Sequence, residues 1–189
     1  MSYSRGYLAQ VELLLRVLPI INKQDCFALK GGTAINLFVR DMPRLSVDID
    51  LTYLPIEPRE QFLKNITDAL DTLAANIKQK GEDKYQVDPV FTKEPKQLSK
   101  LIVSNNTARI IIEPNLVLRG TVFECEMHEL CQSAQNDFLN FFAIKTLSFA
   151  DLYGGKICAA LARQHPRDLF DVKILLENQH DQPLRHPRT

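Results

Sequence analysis

The chain has 189 residues, of which 45% are hydrophobic, and its formal net charge is zero at pH 7. Such a composition is typical of a globular domain and excludes an intrinsically disordered protein. The balanced charge gives no support for a nucleic-acid partner, although a local basic face would be compatible with one. No apolar run approaches the ~20 residues of a membrane span, and the scattered cysteines favour reduced thiols. We therefore expect a cytoplasmic protein with no membrane partner.

A helix and then a strand–turn–helix unit are predicted at the start of the chain. Apolar residues at helical spacing predict a helix over residues 7–21. The apolar run Cys26 to Leu29 ends at Lys30 and is followed by Gly31-Gly32-Thr33, after which apolar residues again recur at helical spacing. This order predicts a strand, a tight glycine turn and a second helix, with Thr33 as its N-cap.

The next segment alternates strictly between polar and apolar residues. Residues 44–51 read Arg-Leu-Ser-Val-Asp-Ile-Asp-Leu. A period of two predicts a strand with one apolar face and one polar face. The polar face carries Arg44, Ser46, Asp48 and Asp50.

The remaining patterns complete a mixed α/β (α+β) fold, in which a small mixed sheet is flanked by helices. Helices are predicted over residues 61–77, from the N-cap Ser148 to about Arg163, and over 166–176. Strands are predicted over 87–91, 98–103 and 108–113, the last ending at Glu113. We divide the chain into a core of residues 1–130, a helical segment of residues 131–177 that completes the active site, and a tail of residues 178–189 that is expected to be disordered.

The two aspartates suggest a metal site. Side chains at i and i+2 of a strand point to the same side, with Cα atoms roughly 6–7 Å apart. Like charges this close are unfavourable unless a cation lies between them, and Mg²⁺ (or Mn²⁺) prefers such hard oxygen ligands together with substrate phosphates. If Glu113 lies on a neighbouring strand, Asp48, Asp50 and Glu113 can bind metal together.

The glycine turn offers a place for phosphates beside those carboxylates. Without side chains at Gly31 and Gly32, a triphosphate can approach backbone amides at the start of a helix, and the Thr33 hydroxyl can donate to it. Taken singly, a glycine pair is usually only a turn, and two alternating aspartates are usually a solvated face. The combination in this order indicates a nucleoside triphosphate site.

The same residues resemble a known family. Lys30 to Ala34 and then Arg44 to Leu51 look like the first motif of the AbiEii/AbiGii-type nucleotidyltransferase toxins, which share the polymerase-beta-like nucleotidyltransferase fold. Residues 151–161, Asp-Leu-Tyr-Gly-Gly-Lys-Ile-Cys-Ala-Ala-Leu, resemble the helix of that family that bears an active-site lysine. Residues 167–171, Arg-Asp-Leu-Phe-Asp, resemble its closing motif.

The resemblance implies a role for each matching residue. Asp48 and Asp50 would be catalytic and hold the metal, joined by Glu113. Lys156 would contact phosphate, a solvated helix lysine being the alternative, and Asp168 would act as a base or orient that lysine. Arg44 would either contact nucleotide or neutralise Asp48. The implied nucleotide-binding set is Lys30, Gly31, Gly32, Thr33, Arg44, Ser46 and Lys156.

The resemblance also implies a function. It leads us to expect transfer of a nucleoside monophosphate from a nucleoside triphosphate to an acceptor hydroxyl, with RNA or tRNA as the acceptor, host toxicity and a cognate antitoxin. One alternative is a small-molecule nucleotidyltransferase of the antibiotic-modifying kind. Another is a truncated, non-catalytic nucleotide-binding module, because such proteins usually continue in a longer helical region than follows residue 171 here.

Overall fold

A seven-stranded mixed sheet organises residues 3–81, 84–94 and 96–177, which are the residues that the computed structural model describes. The tail predicted to be disordered, residues 178–189, lies outside them. The strands are β1 (Phe27–Lys30), β2 (Asp48–Tyr53), β3 (Gln86–Phe91), β4 (Leu98–Ser104), β5 (Arg109–Arg119), β6 (Glu126–Glu129) and β7 (Ala143–Thr146). The helices are α1 (Arg5–Ile21), α2 (Gly31–Ala34), α3 (Arg59–Lys80), α4 (Gln132–Phe138), α5 (Phe149–Arg163) and α6 (Pro166–Glu177).

The strands lie in the order β3-β4-β5-β2-β1-β7-β6. Strand β2 is central, antiparallel to β1 and parallel to β5, and β1 is also parallel to β7. The two outer pairs, β3 with β4 and β6 with β7, are antiparallel. The predicted mixed sheet flanked by helices is therefore confirmed. Pro89 is tolerated because β3 is an edge strand, where a missing amide donor removes no ladder bond on the outer side.

The apolar face of the central strands forms the core. Ile49 and Leu51 of β2 are fully buried, as is Ile112 of β5, and helices α1 and α3 lie against the sheet. Burying each such side chain contributes roughly 1.5–3 kcal/mol relative to leaving it exposed. Since side chains alternate along a strand, burial of this face places the charged residues of β2 on the opposite face.

Strand β2 differs from its prediction at both ends. It begins at Asp48 and continues to Tyr53, so residues 44–47 lie in the preceding loop. The prediction that Arg44 and Ser46 share the polar face of the strand with the aspartates is therefore wrong. The physical reason is a long-range contact: the Arg44 guanidinium turns away to bind the carboxylate of Asp171 in α6, with its Nε 2.8 Å from Oδ1.

The prediction that Thr33 caps a helix is also wrong. Helix α2 begins at Gly31, its N-cap position is Lys30, and no side chain caps it. Thr33 is fully buried, and its hydroxyl donates a hydrogen bond to the Asp48 carbonyl oxygen at 2.5 Å. Thr33 therefore ties α2 to the start of β2. The helix continues as a π-helical turn over Ile35–Val39, a geometry that often marks functional sites.

The segment 131–177 contains more than helices. It contributes β7, which pairs with β1 beside the centre of the sheet; neither β7 nor its partner β6 was predicted. Helices α5 and α6 are confirmed, and Ser148 caps α5 by accepting a hydrogen bond from the Asp151 amide at 3.1 Å. Within the described ranges, no helix is both long and apolar enough to cross a membrane.

Candidate active site

Three charged residues lie side by side across the middle of the sheet. Lys30 of β1 is the register partner of Asp50 of β2, and Asp50 is in turn the register partner of Glu113 of β5. Register partners on adjacent strands point to the same face, about 5 Å apart. The expectation that Glu113 neighbours the strand of Asp48 and Asp50 is therefore confirmed.

The carboxylates of Asp48, Asp50 and Glu113 do not converge on one point in this conformation. Asp48 is exposed, Asp50 is partly buried, and among the residues described no group of three or more His, Cys, Asp or Glu side chains is placed to hold a metal ion. The Asp50 carboxylate lies against the glycine turn, because a Cβ added to Gly31 would clash with its Oδ2. The donor chemistry nevertheless fits Mg²⁺ or Mn²⁺, since three carboxylates on one sheet face supply only hard oxygen ligands. A rotation of these side chains is what a shared ion would require.

Lys30 and Asp50 form the electrostatic centre of the site. Burial raises the pKa of Asp50, and the charges of Asp48 and Glu113 act in the same direction, whereas Lys30 and Lys156 oppose it. Burial also lowers the pKa of Lys30, against the opposing charge of Asp50. Burial thus disfavours the charged form of both side chains. A cation bound nearby would favour the ionised form of Asp50.

The glycine turn is shaped by the side chains that lie against it. Gly31 has φ +72°, in the left-handed region that favours glycine, and Asp50 occupies the space of a side chain at that position. A Cβ at Gly32 would lie 2.8 Å from the Arg44 Nη2 and 2.9 Å from the Ser46 hydroxyl. Arg44 and Ser46 therefore border the turn, although they do not lie on the strand.

A buried carboxylate joins the turn to the C-terminal helices. Asp171 of α6 is 2% exposed and accepts hydrogen bonds from the Arg44 Nε at 2.8 Å and Nη2 at 2.6 Å. Asn36, in the π-helical turn, donates from Nδ2 to the Gly32 carbonyl oxygen at 2.8 Å and to Asp171 at 3.3 Å. The bidentate pair of Arg44 with Asp171 and the hydrogen bonds of the Asn36 amide together fix the position of the glycine turn relative to α6.

Lys156 is part of the same ionic network. Its side chain is 9% exposed, and its Nζ lies 2.8 Å from the Asp168 Oδ1 and 3.1 Å from the Asp171 Oδ2. The alternative of a solvated helix lysine is therefore excluded. Burial raises the pKa of Asp168, but the hydrogen bond and charge of Lys156, with the charge of Arg163, outweigh it and hold the pKa below its usual value.

The structure gathers the predicted residues into two groups. The sheet face presents Lys30, Asp48, Asp50 and Glu113, and the glycine turn borders it. Lys156 and Asp168 form the second group, close enough that the charge of Lys156 acts on both Lys30 and Asp50. The Thr33 hydroxyl already donates to the Asp48 carbonyl oxygen. In this conformation it therefore cannot donate to a phosphate.

Sequence reasoning gave no role to two members of the network, although it placed Asp171 in the closing motif. Asp171 stands three residues after Asp168 on a helix, a spacing that places both on one face, and this was a usable signal. Asn36 gave no signal, because one amide among apolar residues does not reveal its partners. It is fully buried, and its Oδ1 is a buried polar atom without a hydrogen-bond partner.

A cleft of about 510 Å³ opens beside the carboxylates. Its floor includes Lys30, Asp50 and Glu113, and its sides are formed by residues of β4 and of the second half of β5. One side of the carboxylate row thus faces the glycine turn and Lys156, and the other faces this open space. The cleft therefore leaves room for a ligand beside the carboxylates.

Comparison with solved structures shows that the chain has the nucleotidyltransferase fold. MenT4, a nucleotidyltransferase toxin from Mycobacterium tuberculosis H37Rv, superposes with a TM-score of 0.67 at 12% identity, covering 91% of this chain and 59% of that chain. ANT(2")-Ia, solved in complex with adenylyl-2"-tobramycin, gives a TM-score of 0.50 at 13% identity, covering 90% of this chain and 89% of that chain. The chain thus spans less than two thirds of the length of MenT4.

The family is shown by the sequence itself. Residues 12–186 match the family described as nucleotidyl transferase AbiEii toxin, Type IV TA system, and the chain belongs to that family. The resemblance found in the glycine turn, the aspartate strand and the two C-terminal motifs is thereby confirmed. No curated protein matches the sequence at the threshold applied.

Proposed function

We propose that the protein transfers a nucleoside monophosphate from a nucleoside triphosphate to an acceptor hydroxyl, with RNA or tRNA as the acceptor. The observation that carries the proposal is the register of Asp50 with Lys30 on one side and Glu113 on the other, directly beside the glycine turn. Membership of the AbiEii family supports a toxin with a cognate antitoxin as its partner.

The glycine turn and the lysines would bind the triphosphate. Backbone amides at the start of α2 and the side chain of Lys30 provide positive charge on one side of Asp50. Lys156 is a compact cation held by Asp168 and Asp171, and it would add positive charge on the phosphate side of the site. Arg44 and Ser46 border Gly32 and would orient the nucleotide from the loop.

The carboxylates would hold the metal. Asp48, Asp50 and Glu113 would be its ligands, and Mg²⁺ or Mn²⁺ bound there would neutralise charge on the phosphates and lower the pKa of the attacking hydroxyl. The acceptor oxygen would bond to the α-phosphorus while the bond from that phosphorus to the pyrophosphate oxygen breaks, pyrophosphate would leave, and the hydroxyl proton would pass to water.

Asp168 fits an orienting role better than that of a base. A general base works best when its pKa lies near the working pH. The pairs with Lys156 and Arg163 lower the pKa of Asp168 and occupy its oxygens. Asp168 would therefore fix the position of Lys156 rather than accept a proton.

The test is transfer of label from each α-³²P nucleoside triphosphate to total cellular RNA in the presence of Mg²⁺. Wild type is compared with Asp48→Asn, and Asp71→Asn, an exposed aspartate on α3, is the matched control. Labelled RNA of tRNA size with wild type and Asp71→Asn, but not with Asp48→Asn, is the expected result. Full labelling by Asp48→Asn would show that the metal assignment is wrong.

The same assay separates the alternative functions. The match covers 89% of ANT(2")-Ia, which was solved in complex with adenylyl-2"-tobramycin. A small-molecule acceptor such as tobramycin is therefore added to the assay. Labelled tobramycin without labelled RNA would establish a small-molecule enzyme. Binding of nucleotide and Mg²⁺ without transfer to either acceptor would establish a non-catalytic binding module.

A further inference from the structure

The cleft beside Glu113 is lined by two unlike groups of residues. Those from β5 include the apolar Leu116 and Val117, the latter 75% exposed, together with the polar Asn115. Those from the neighbouring strand β4 include Ser99 and Lys100. Exposed apolar side chains beside a lysine suit a ligand that has both flat apolar faces and negative charge.

The position of the cleft identifies which reactant it can hold. The charged row runs from Lys30 through Asp50 to Glu113, and Lys100 extends it, with its Nζ 3.7 Å from the Glu113 Oε2. The glycine turn follows Lys30 directly, at the other end of this row. In phosphoryl-type transfer the attacking and leaving oxygens are roughly in line through phosphorus. With the triphosphate at the glycine turn, the acceptor must therefore approach from the side of Glu113 and Lys100.

The rim of the cleft continues onto the β3–β4 hairpin. Phe91 is 45% exposed at the end of β3, immediately before the lining residue Thr92. The Lys96 Nζ lies 5.4 Å from the centre of the Phe91 ring. Lys93 is also exposed, and Glu94 is the one acidic residue within 91–94 and 96–100. The hairpin thus carries a local basic excess in a chain whose net charge is zero.

We propose that the cleft and this hairpin form the acceptor site and bind a single-stranded RNA; the inference rests on the proposed function. Phe91 stacks on a base, Val117 contacts the nucleotide that carries the acceptor hydroxyl, and Lys96 and Lys100 bind backbone phosphates. Aromatic stacking combined with basic side chains is the usual way to hold single strands. A small acceptor would be covered by the cleft alone and would gain nothing from Phe91 and Lys96 on the rim.

The surface is tested first by binding alone. A short fluorescent single-stranded oligoribonucleotide is titrated with the full chain by anisotropy, without nucleotide, at several salt concentrations. Phe91→Ala should weaken binding about 5- to 150-fold, the range expected for one lost base stack, and Phe91→Tyr should restore it. Lys96→Ala and Lys100→Ala should each reduce the salt slope by about one. Lys78→Ala, an exposed lysine at the far end of α3, should leave both quantities unchanged.

Transfer kinetics then separate this inference from the proposed function. Phe91→Ala should raise the KM for RNA while the Kd for nucleoside triphosphate stays at its wild-type value. Absence of RNA binding by wild type, unchanged binding by every hairpin variant, or an equal loss of nucleotide affinity would each overturn the acceptor site. RNA binding that depends on Phe91 and Lys96 but is accompanied by no transfer would leave the surface standing and contradict the enzymatic function.

Discussion

Asp171 binds the guanidinium of Arg44 through both carboxylate oxygens, at 2.8 Å and 2.6 Å, across 127 positions of sequence. The same guanidinium occupies the space that a side chain at Gly32 would fill. Asp171 also lies 3.1 Å from the Lys156 Nζ. One buried carboxylate therefore sets the distance between the glycine turn and the helix that bears the lysine.

Asp171→Ala should destabilise the protein severely. Removing one partner leaves Arg44 without its bidentate acceptor and weakens the hold on Lys156, and breaking a buried ion pair in this way costs about 3–5 kcal/mol. The measurement is the free energy of unfolding from urea titration. Asp71→Ala on the exposed face of α3 is the control and should change it by less than about 0.5 kcal/mol. A loss for Asp171→Ala no larger than that of the control would show that the network does not contribute to folding.

Stability should depend on pH through Asp168. The pairs with Lys156 and Arg163 hold its pKa in the folded state below the ordinary value of 3.8. A carboxyl with a lowered folded pKa contributes stability above its unfolded pKa and loses that contribution as the pH falls through the folded pKa. The stability advantage of wild type over Asp168→Asn should therefore shrink as the pH is lowered through that window.

Urea titrations of wild type and Asp168→Asn at a series of acidic pH values measure this difference. Removing Arg163 as well, by Arg163→Ala in both backgrounds, should make the pH-dependent part smaller because one of the two stabilising cations is gone. A difference that stays constant across the acidic range would contradict the ion-pair explanation.

Gly31→Ala should be far more costly than Gly154→Ala. Gly31 has φ +72° and would place its Cβ against the Asp50 carboxylate, whose Cγ lies 3.1 Å away. The backbone strain alone is about 1 kcal/mol or more, and displacement of Asp50 adds to it. Gly154 is the matched control: it is exposed within α5 and has open space around it, so Gly154→Ala should stabilise the helix by about 0.5–1 kcal/mol. Thermal unfolding of both variants decides whether the opposite signs are observed.

The carboxylate face of the sheet could be predicted from the sequence, but the ionic network of Arg44, Lys156 and Asp171 could not. The alternation of Asp48, Ile49, Asp50 and Leu51 correctly places the two aspartates on one face, because the period of a strand is local geometry. The course of Arg44 could not be predicted, since its partner Asp171 comes from a distant helix. The cap assigned to Thr33 failed for a similar reason: a contact with the Asp48 carbonyl outweighed the local helix signal.

Metal binding should stabilise the folded protein through Asp50. Protons and metal compete for the Asp50 carboxylate, and burial raises the pKa of Asp50, so binding of Mg²⁺ or Mn²⁺ should weaken as the pH falls. A ligand that binds only the folded state raises the free energy of unfolding by RT ln(1 + [L]/Kd), so the unfolding midpoint rises with ligand concentration. Wild type should show this rise with Mg²⁺, more strongly at higher pH. Asp50→Asn and Asp48→Asn should lack it, and Asp71→Asn should retain it. Equal shifts in all four proteins would place the ion elsewhere, and no shift in wild type without nucleotide would mean that the triphosphate supplies ligands the ion needs.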